Sequence, residues 1–253
     1  MASYLVTGAS RGLGLALVSR LATLPATEVG KIIATARSDN SHKLKEIVNA
    51  SPGRVEWVRL DVTDQKSALE AASEVEGKLH GRGLDYLINN AGLMDYSPTG
   101  VEGMDNLNEI FHTNVTSVHT VTQAFLPLLR QGDKKTIVNI SSTVGTFAKA
   151  EDFRVAPTPA YKVSKAALNM LTVQYAQQYE TEGFTVLAVS PGWLRTDLGS
   201  SRADLPVEVG AEKVVDIMQK TGPPQNGKLI NIHVPGWENA PGPNQYPGGE
   251  AAW

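Results

Sequence analysis

The stretch YLVTGASRGLG, residues 4–14, passes from a short apolar run straight into a turn that holds three glycines. Gly8, Gly12 and Gly14 are not spaced as in the pattern G-x-G-x-x-G, but they permit the same tight turn and close backbone approach. Helical periodicity follows over residues 13–23. Free amides at the start of that helix favour an anion, so the turn predicts a phosphate site. A simple tight turn is the alternative interpretation.

Six further strand-type runs follow, separated by stretches of helical periodicity. They read KIIATA, VEWVRL, LDYLIN, KTIVNIS, FTVLAVS and GKLINIH. The longest predicted helices cover residues 106–130 and 160–182. Alternating strands and helices indicate right-handed crossovers and a parallel sheet covered on both faces. The sequence therefore predicts one α/β domain over residues 1–253, a single-domain Rossmann fold with a doubly wound, mostly parallel sheet of seven strands.

The tail, residues 235–253, reads PGWENAPGPNQYPGGEAAW and is rich in proline and glycine. Such composition favours disorder. Trp237, Tyr246 and Trp253 nevertheless offer large apolar surfaces that suit docking onto the body. We expect a docked tail.

Composition narrows the class of partner. The formal net charge of −3 gives no basic excess for nucleic acid or an acidic membrane surface, and the absence of cysteine excludes disulfides and thiolate metal sites. No leader segment and no apolar run of about 18 residues is found, so we expect a cytoplasmic protein that acts on a small molecule. No metal site is predicted, because the histidines lack ligand spacing. They are His42, His80, His112, His119 and His233.

Two arginines bear on the choice of ligand at the glycine turn. The second strand ends with Ala36 and Arg37, where an acidic residue would suit a free ribose 2′-hydroxyl, and Arg11 lies inside the turn. Both guanidinium groups are expected to bind a 2′-phosphate, which favours NADPH over NADH. Solvated surface charges are the alternative. Asp61 ends the third strand and is a candidate for the adenine amino group or for turn formation, whereas Asp64 is the better helix cap.

Tyr161 and Lys165 lie one turn apart on a helix that Thr158 would cap and Pro159 would begin. A free phenol has a pKa of about 10, and a neighbouring ammonium, the positive helix start and a nicotinium ring are together expected to lower it into a range useful for acid–base catalysis. Packing of the tyrosine beside a surface lysine is the alternative.

Polar residues at other strand ends support the catalytic interpretation. Ser141 and Ser142 follow the fifth strand at the sheet edge where open α/β sheets bind ligands. The run INNAG ends the fourth strand at the same edge. Asn114 lies inside the next predicted helix, where a buried amide needs partners. It is either part of a proton relay through water or simply packed.

Six motifs occur in the order and at separations typical of one family: TGASRGLG, LDVTD, NNAG, NISS, YKVSK and SPGWLRTDLG. Over nearly its whole length the chain resembles the short-chain dehydrogenase/reductase (SDR) family. A finer resemblance, to sniffer-type carbonyl reductases including fungal members, rests on the strand end ATAR, residues 34–37, and on Trp253 after a glycine-rich tail. The resemblance implies a tetrad of Asn114, Ser142, Tyr161 and Lys165. Ser142 would orient a substrate carbonyl, Tyr161 would donate the proton, Lys165 would lower the tyrosine pKa and bind the nicotinamide ribose, and Asn114 would hold a relay water.

The resemblance also implies the cofactor site. Asn90 would lie near the adenosine ribose, and Pro191, Gly192 and Thr196 would surround the nicotinamide. With Tyr161 and Lys165, the expected NADP(H)-binding residues are Gly8, Ser10, Arg11, Gly12, Leu13, Gly14, Arg37, Asp61, Val62, Asn90, Ala91, Gly92, Pro191, Gly192 and Thr196.

The expected function is NADPH-dependent reduction of a small, moderately apolar ketone or aldehyde. A pathway enzyme that reduces an imine or steers a cyclisation, and a non-catalytic NADPH-binding sensor, remain alternatives. Residues 143–159 form a longer segment than in many family members and are expected to border the substrate, and residues 193–206 are a candidate lid. A homodimer or homotetramer is implied by the family, and a monomer by its sniffer-type members.

Overall fold

Eight strands form one sheet in the computed structural model, which describes residues 1–253. The strands are β1 (Ala2–Val6), β2 (Val29–Ala36), β3 (Val55–Arg59), β4 (Tyr86–Asn89), β5 (Thr136–Ile140), β6 (Thr185–Ser190), β7 (Leu229–His233) and β8 (Pro247–Ala251). Their order is β3-β2-β1-β4-β5-β6-β7-β8. All neighbours are parallel except β7 and β8. The predicted α/β class is confirmed, while the predicted number of seven strands is wrong by one.

Seven α-helices connect the strands. They are α1 (Gly12–Thr23), α2 (His42–Ala50), α3 (Gln65–Leu79), α4 (Leu107–Phe111), α5 (Ser117–Gln131), α6 (Pro159–Tyr179) and α7 (Val207–Lys220). The helix predicted over residues 106–130 is divided, because a π-helical turn at His112–Thr116 separates α4 from α5. Asp64 caps α3, as predicted, by accepting a hydrogen bond from the amide of Lys66. No helix combines the length and the apolar character needed to cross a membrane.

The strand order places a crevice at the centre of the sheet. Chain order runs outward from β1 to β3 on one side and from β4 to β7 on the other, so the direction of the crossovers reverses between β1 and β4. Open α/β sheets bind ligands at this reversal, beyond the carboxyl ends of the strands. The glycine turn leaves β1 at that position.

The two faces of the sheet bury separate apolar layers because successive strand residues point to opposite sides. In β1, Tyr4 and Val6 belong to the layer covered by α1 and α7, whereas Leu5 belongs to the layer covered by α3 and α5. Phe125 of α5 is fully buried in the second layer, and burial of one such side chain contributes about 1.5–3 kcal/mol. The layers hold the strand ends, and therefore the crevice, in fixed positions.

The tail lies against the edge of the sheet. Residues 247–251 pair antiparallel with β7, with Ala251 opposite Leu229 and Pro247 opposite His233. Tyr246, just before β8, is buried. The amide of Ala148 donates to the main-chain oxygen of Trp253 at 3.2 Å, which places the last residue beside the segment that follows β5.

Candidate active site

The glycine turn forms a compact cradle at the end of β1. Gly8 and Gly12 have φ angles of +66° and +54°, which favour glycine. A Cβ on Gly14 would lie 2.3 Å from the carbonyl oxygen of Gly8. Helix α1 begins at Gly12, and its N-cap residue, Arg11, makes no side-chain hydrogen bond to the first turn. The first-turn amides thus keep hydrogens for an anion, and the cradle fits the pyrophosphate of a dinucleotide.

Asn90 and Thr7 join this cradle to the end of β4. The hydroxyl of Thr7 accepts from the amides of Asn90 and Ala91 at 2.9 and 3.0 Å. The side-chain amide of Asn90 donates to the Thr7 carbonyl at 2.8 Å and therefore fixes the first residue of the glycine turn to the end of β4. The family resemblance implies that Asn90 lies near a ribose, and it gave Thr7 no role. The sequence signal for Thr7 is a hydroxyl residue at the start of the motif TGASRGLG, between a buried strand and the first glycine.

The two arginines expected to bind a 2′-phosphate have different surroundings. Arg37 is exposed after β2. Arg11 is also exposed and pairs with Asp197 at 3.1 Å. An exposed pair contributes at most about 1 kcal/mol, so Arg11 remains free to exchange Asp197 for an incoming phosphate.

Asp61 acts as a turn former at the end of β3. Its Oδ1 accepts from the amide and the hydroxyl of Thr63 at 3.0 and 2.7 Å. These hydrogen bonds, helped by the charges of Arg37 and Arg59, hold the pKa of Asp61 below its usual value. The carboxylate therefore stays ionised, and turn formation is the role that its contacts show. A contact with an adenine amino group stays a prediction.

Lys165 is buried inside the site, with 5% of its surface exposed. Its Nζ donates to the carbonyl of Ile140 at the end of β5 at 2.8 Å and lies 5.4 Å from the centre of the Tyr161 ring. A Cβ on Gly145 would lie 2.6 Å from the Cβ of Lys165, so the segment after β5 packs directly on α6. Removal from water lowers the pKa of Lys165 to about 7.

Tyr161 differs from the sequence-based expectation. Lys165 was expected to lower the pKa of this phenol, but burial raises the pKa of Tyr161 above its ordinary value. The reason is that the ammonium hydrogen-bonds Ile140 rather than the phenol, so loss of hydration dominates. The phenol of Tyr161 therefore keeps its proton at neutral pH and is not a preformed phenolate. Thr158 makes no side-chain capping bond, although α6 begins at Pro159 as predicted.

The two serines after β5 differ in burial and in hydrogen-bond partner. Ser141 is buried and its hydroxyl donates to the Oδ1 of Asn169 on α6. Ser142 is partly exposed, and its Oγ accepts from the amide of Val144 at 3.3 Å. Because that bond uses an oxygen lone pair, the hydroxyl hydrogen of Ser142 is free to donate to a substrate. This arrangement agrees with the role that the family resemblance gives to the second serine.

Asn114 lies in the π-helical turn and is 1% exposed. Its Oδ1 accepts from the amide of Leu93 at 2.8 Å, and its Nδ2 donates to the Leu93 carbonyl at 2.8 Å and to Ser164 at 2.9 Å. Both amide hydrogens are therefore used within the protein, and the side chain fixes the loop after β4 to α6, one residue before Lys165. That Asn114 holds a relay water stays a prediction. Ser164 was not identified from the sequence.

A ladder of buried amides lies directly beneath the site. Asn89 and Asn139 are paired across β4 and β5, and the Nδ2 of Asn89 donates to the Oδ1 of Asn139 at 2.9 Å. Asn139 in turn donates to Thr172 of α6 at 2.9 Å. Satisfied polar networks of this kind rigidify a core. The ladder therefore holds the ends of β4 and β5 and helix α6 in one arrangement.

The segment expected around a nicotinamide meets the glycine turn. Thr196 lies against Gly12, since a Cβ there would be 3.5 Å from the Thr196 methyl group. The Thr196 hydroxyl accepts from the amide of Gly199 at 3.0 Å. Gly192, after the buried Pro191, has a φ of +84°. We call residues 193–206 the β6 loop; main-chain bonds between Trp193, Arg195 and Leu205 close its base.

The remaining predicted cofactor residues lie around the same crevice. The carbonyl of Ser10 accepts from the hydroxyl of Ser41 at 2.6 Å, and Leu13 and Val62 are half-buried at the starts of α1 and α3. Gly92 faces Asn114, whose Oδ1 would be 3.2 Å from an added Cβ. Thus the sheet edge gathers the predicted residues at the ends of β1 to β6.

Comparison with known proteins agrees with this geometry. A family model described as short chain dehydrogenase matches residues 3–205. The short-chain dehydrogenase/reductase AacuF of Aspergillus aculeatus is 38% identical over 203 residues, which cover 76% of this chain and 74% of that protein. Carbonyl reductase from chicken fatty liver, solved with NADPH bound, has a TM-score of 0.86 at 30% identity and covers 100% of this chain and 94% of its own. Carbonyl reductase Sniffer of D. melanogaster has a TM-score of 0.86 at 28% identity, with 100% of both chains covered.

The chain belongs to the short-chain dehydrogenase/reductase family, and it is an oxidoreductase. Within that family it is similar to carbonyl reductases of the Sniffer type over its full length. The resemblance to the family and the finer resemblance to sniffer-type carbonyl reductases are therefore both confirmed.

Proposed function

We propose that this protein reduces the carbonyl group of a small, moderately apolar ketone or aldehyde with NADPH, and that Tyr161 donates the proton. One observation carries the proposal: the free hydroxyl of Ser142, the phenol of Tyr161 and the buried Lys165 lie at the same sheet edge as an open glycine cradle. A phosphate cradle beside a proton donor is what a nicotinamide-dependent reductase requires.

The residues that would hold NADPH follow from the crevice. The amides at the start of α1 suit the pyrophosphate, Arg11 and Arg37 suit the 2′-phosphate, and Thr196 with Pro191 and Gly192 suits the nicotinamide end. The chicken carbonyl reductase, similar in fold over the whole of this chain, was solved with NADPH. Bound NADPH supplies the hydride that reduces the carbonyl carbon.

The protein's own groups would manage the proton. Ser142 would donate its free hydrogen to the carbonyl oxygen and stabilise the negative charge that develops there. Burial keeps Tyr161 protonated at neutral pH, and its Oη proton moves favourably to an alkoxide, which is a stronger base than a phenolate. Lys165, with a pKa of about 7, exchanges protons near neutral pH and is suited to restoring the proton of Tyr161.

Exposed apolar residues lie on the segments that follow β4 and β5, and they support an apolar substrate. Phe147 and Val155, on the segment after β5, are 85% and 84% exposed, and Tyr96 follows β4. The amide of Ser97 donates to the Pro157 carbonyl at 2.8 Å, so the Tyr96 loop and the Val155 segment meet. An apolar molecule that covered these side chains would remove them from water.

The proposal is tested by following NADPH absorbance with a panel of ketones, aldehydes and imines. We expect NADPH oxidation with apolar carbonyl compounds, and slower oxidation of NADH under the same conditions. Tight binding of NADPH without turnover of any compound would indicate a non-catalytic binding protein. Turnover of imines alone, unaffected by Tyr161→Phe, would indicate imine chemistry instead.

A further inference from the structure

Tyr246 lies where the tail crosses the β6 loop, and 3% of its surface is exposed. Its main chain is fixed on both sides, because its amide donates to the Trp237 carbonyl and its carbonyl accepts from the amide of Val234, each at 3.0 Å. The Trp237 ring lies against it, with ring centres 5.6 Å apart. The tail therefore presents this phenol in one position.

The phenol connects the two ends of the β6 loop. Its Oη donates to the Oδ2 of Asp204 at 2.6 Å, near the end of the loop, and accepts from the amide of Trp193 at 3.1 Å, at its beginning. The edge of the ring would be 3.3 Å from a Cβ on Gly192. Trp193 directly follows the Pro191–Gly192 pair, so the phenol contacts the main chain that faces the expected nicotinamide end.

The far side of the loop reaches the glycine turn. Thr196 packs on Gly12, and Asp197 pairs with Arg11. The exposed Arg11–Asp197 pair is weak, whereas the Tyr246–Asp204 bond is partly buried and involves a carboxylate, which makes it the stronger of the two attachments. The position of Thr196 thus depends on a residue about 50 positions further along the chain.

We propose that Tyr246 is a positioning residue for the nicotinamide half of the cofactor site: the tail holds the β6 loop, and with it Thr196, in the binding arrangement. This inference rests on the proposed function, since it assumes NADPH in the crevice. It assigns the tail a task in cofactor binding that is separate from its pairing with the sheet. It also predicts that the 2′-phosphate half of the site does not depend on Tyr246.

The variant Tyr246→Phe removes the hydroxyl and keeps the ring. Tyr175→Phe is the matched control, because it deletes a tyrosine hydroxyl that bonds the Nδ1 of His119 at 2.8 Å on the helices α5 and α6. Calorimetric titration would use NADPH and adenosine 2′,5′-bisphosphate, which has the 2′-phosphate but no nicotinamide. We expect Tyr246→Phe to weaken NADPH binding about tenfold, the effect of one charge-assisted hydrogen bond, and to leave the bisphosphate within about twofold. Tyr175→Phe should change neither.

Limited trypsin digestion of the cofactor-free protein gives a second readout. Arg195 and Arg202 lie in the β6 loop, and Arg195 is held by bonds to the carbonyls of Ala203 and Asp204. We expect cleavage at these two residues to be at least about fivefold faster in Tyr246→Phe than in the wild type and in Tyr175→Phe, because the loop opens more often.

The outcomes separate the two proposals. Unchanged NADPH affinity with unchanged digestion, or equal weakening of both ligands, would overturn the role of Tyr246. A wild-type protein that binds no NADPH would overturn the proposed function, and the digestion would then decide on its own whether Tyr246 holds the loop.

Discussion

Lys165 shows how a single residue is changed by its surroundings. A lysine that bonds one carbonyl inside the protein loses most of its hydration, and burial lowers its pKa from 10.5 to about 7. The sequence indicated that Lys165 and Tyr161 share a helix face. It could not indicate that desolvation would dominate both groups, because burial depends on the packing of β5, α6 and the segment after β5.

The pH dependence of stability tests the environment of Lys165. Between about pH 7 and pH 10 the unfolded chain keeps this lysine protonated while the folded chain holds it mainly neutral. The unfolded state then binds more protons, so this residue makes the free energy of unfolding rise with pH in that window. Lys165→Met should flatten the rise in urea unfolding measured at intervals from about pH 7 to pH 9.5. The exposed Lys66→Met is the control, and parallel profiles for wild type and Lys165→Met would refute the shift.

Arg37 carries the predicted choice between the two nicotinamide cofactors. Arg37→Asp should lower the ratio of kcat/KM for NADPH to that for NADH by about 30-fold or more, because an attractive charge at the 2′-phosphate is replaced by a repulsive one. The control Arg82→Asp makes the same change of charge just before β4, at the amino ends of the strands and away from the glycine turn. It should leave the ratio unaltered. An unchanged ratio in Arg37→Asp would refute the assignment.

Secondary-structure elements were predictable to different extents. Strands β1 to β7 are apolar, β-branched runs, and this pattern identifies them without any knowledge of their neighbours. Strand β8 reads PGGEA, which has no strand propensity, and it exists because β7 offers a free edge. The π-helical turn at His112–Thr116 also has no sequence signal, and the bonds that Asn114 makes within it reach Leu93 and Ser164 elsewhere in the chain.

Replacing a helical glycine by alanine tests the close packing of the glycine turn, with Gly14 as the test position and Gly77 as the control. Gly14 of α1 packs on the Gly8 carbonyl, so Gly14→Ala should lower the free energy of unfolding by about 2–3 kcal/mol and weaken NADPH binding. Gly77 of α3 has no atom within 4 Å of an added Cβ, so Gly77→Ala should stabilise the protein by about 0.5–1 kcal/mol. Thermal and urea unfolding of both variants provide the measurement. A Gly14→Ala protein as stable as the wild type would contradict the close packing of the turn.

The strand order of the sheet determines which residues of the whole molecule meet at the site. The motifs contain Ser142, Tyr161 and Lys165, each at a strand end or helix start whose position the alternating pattern predicts. Thr7 and Ser164 also lie inside quoted motifs, but neither they nor Tyr246 received a role from the sequence, because their contacts join residues 50 or more positions apart. Those supporting residues become visible only when the sheet brings the ends of β1, β4, β5 and β6 together.

In the proposed reaction the Oη of Tyr161 supplies the proton that converts the carbonyl oxygen to a hydroxyl. Single-turnover NADPH oxidation, at saturating NADPH and an apolar ketone, tests this most directly in the wild type and in Tyr161→Phe. We expect a fall in rate of about 10²- to 10⁴-fold, the usual contribution of a general acid, with the dissociation constant of NADPH within about threefold of the wild type. A Tyr161→Phe protein that binds NADPH normally and reduces the ketone at a rate near that of the wild type would contradict it.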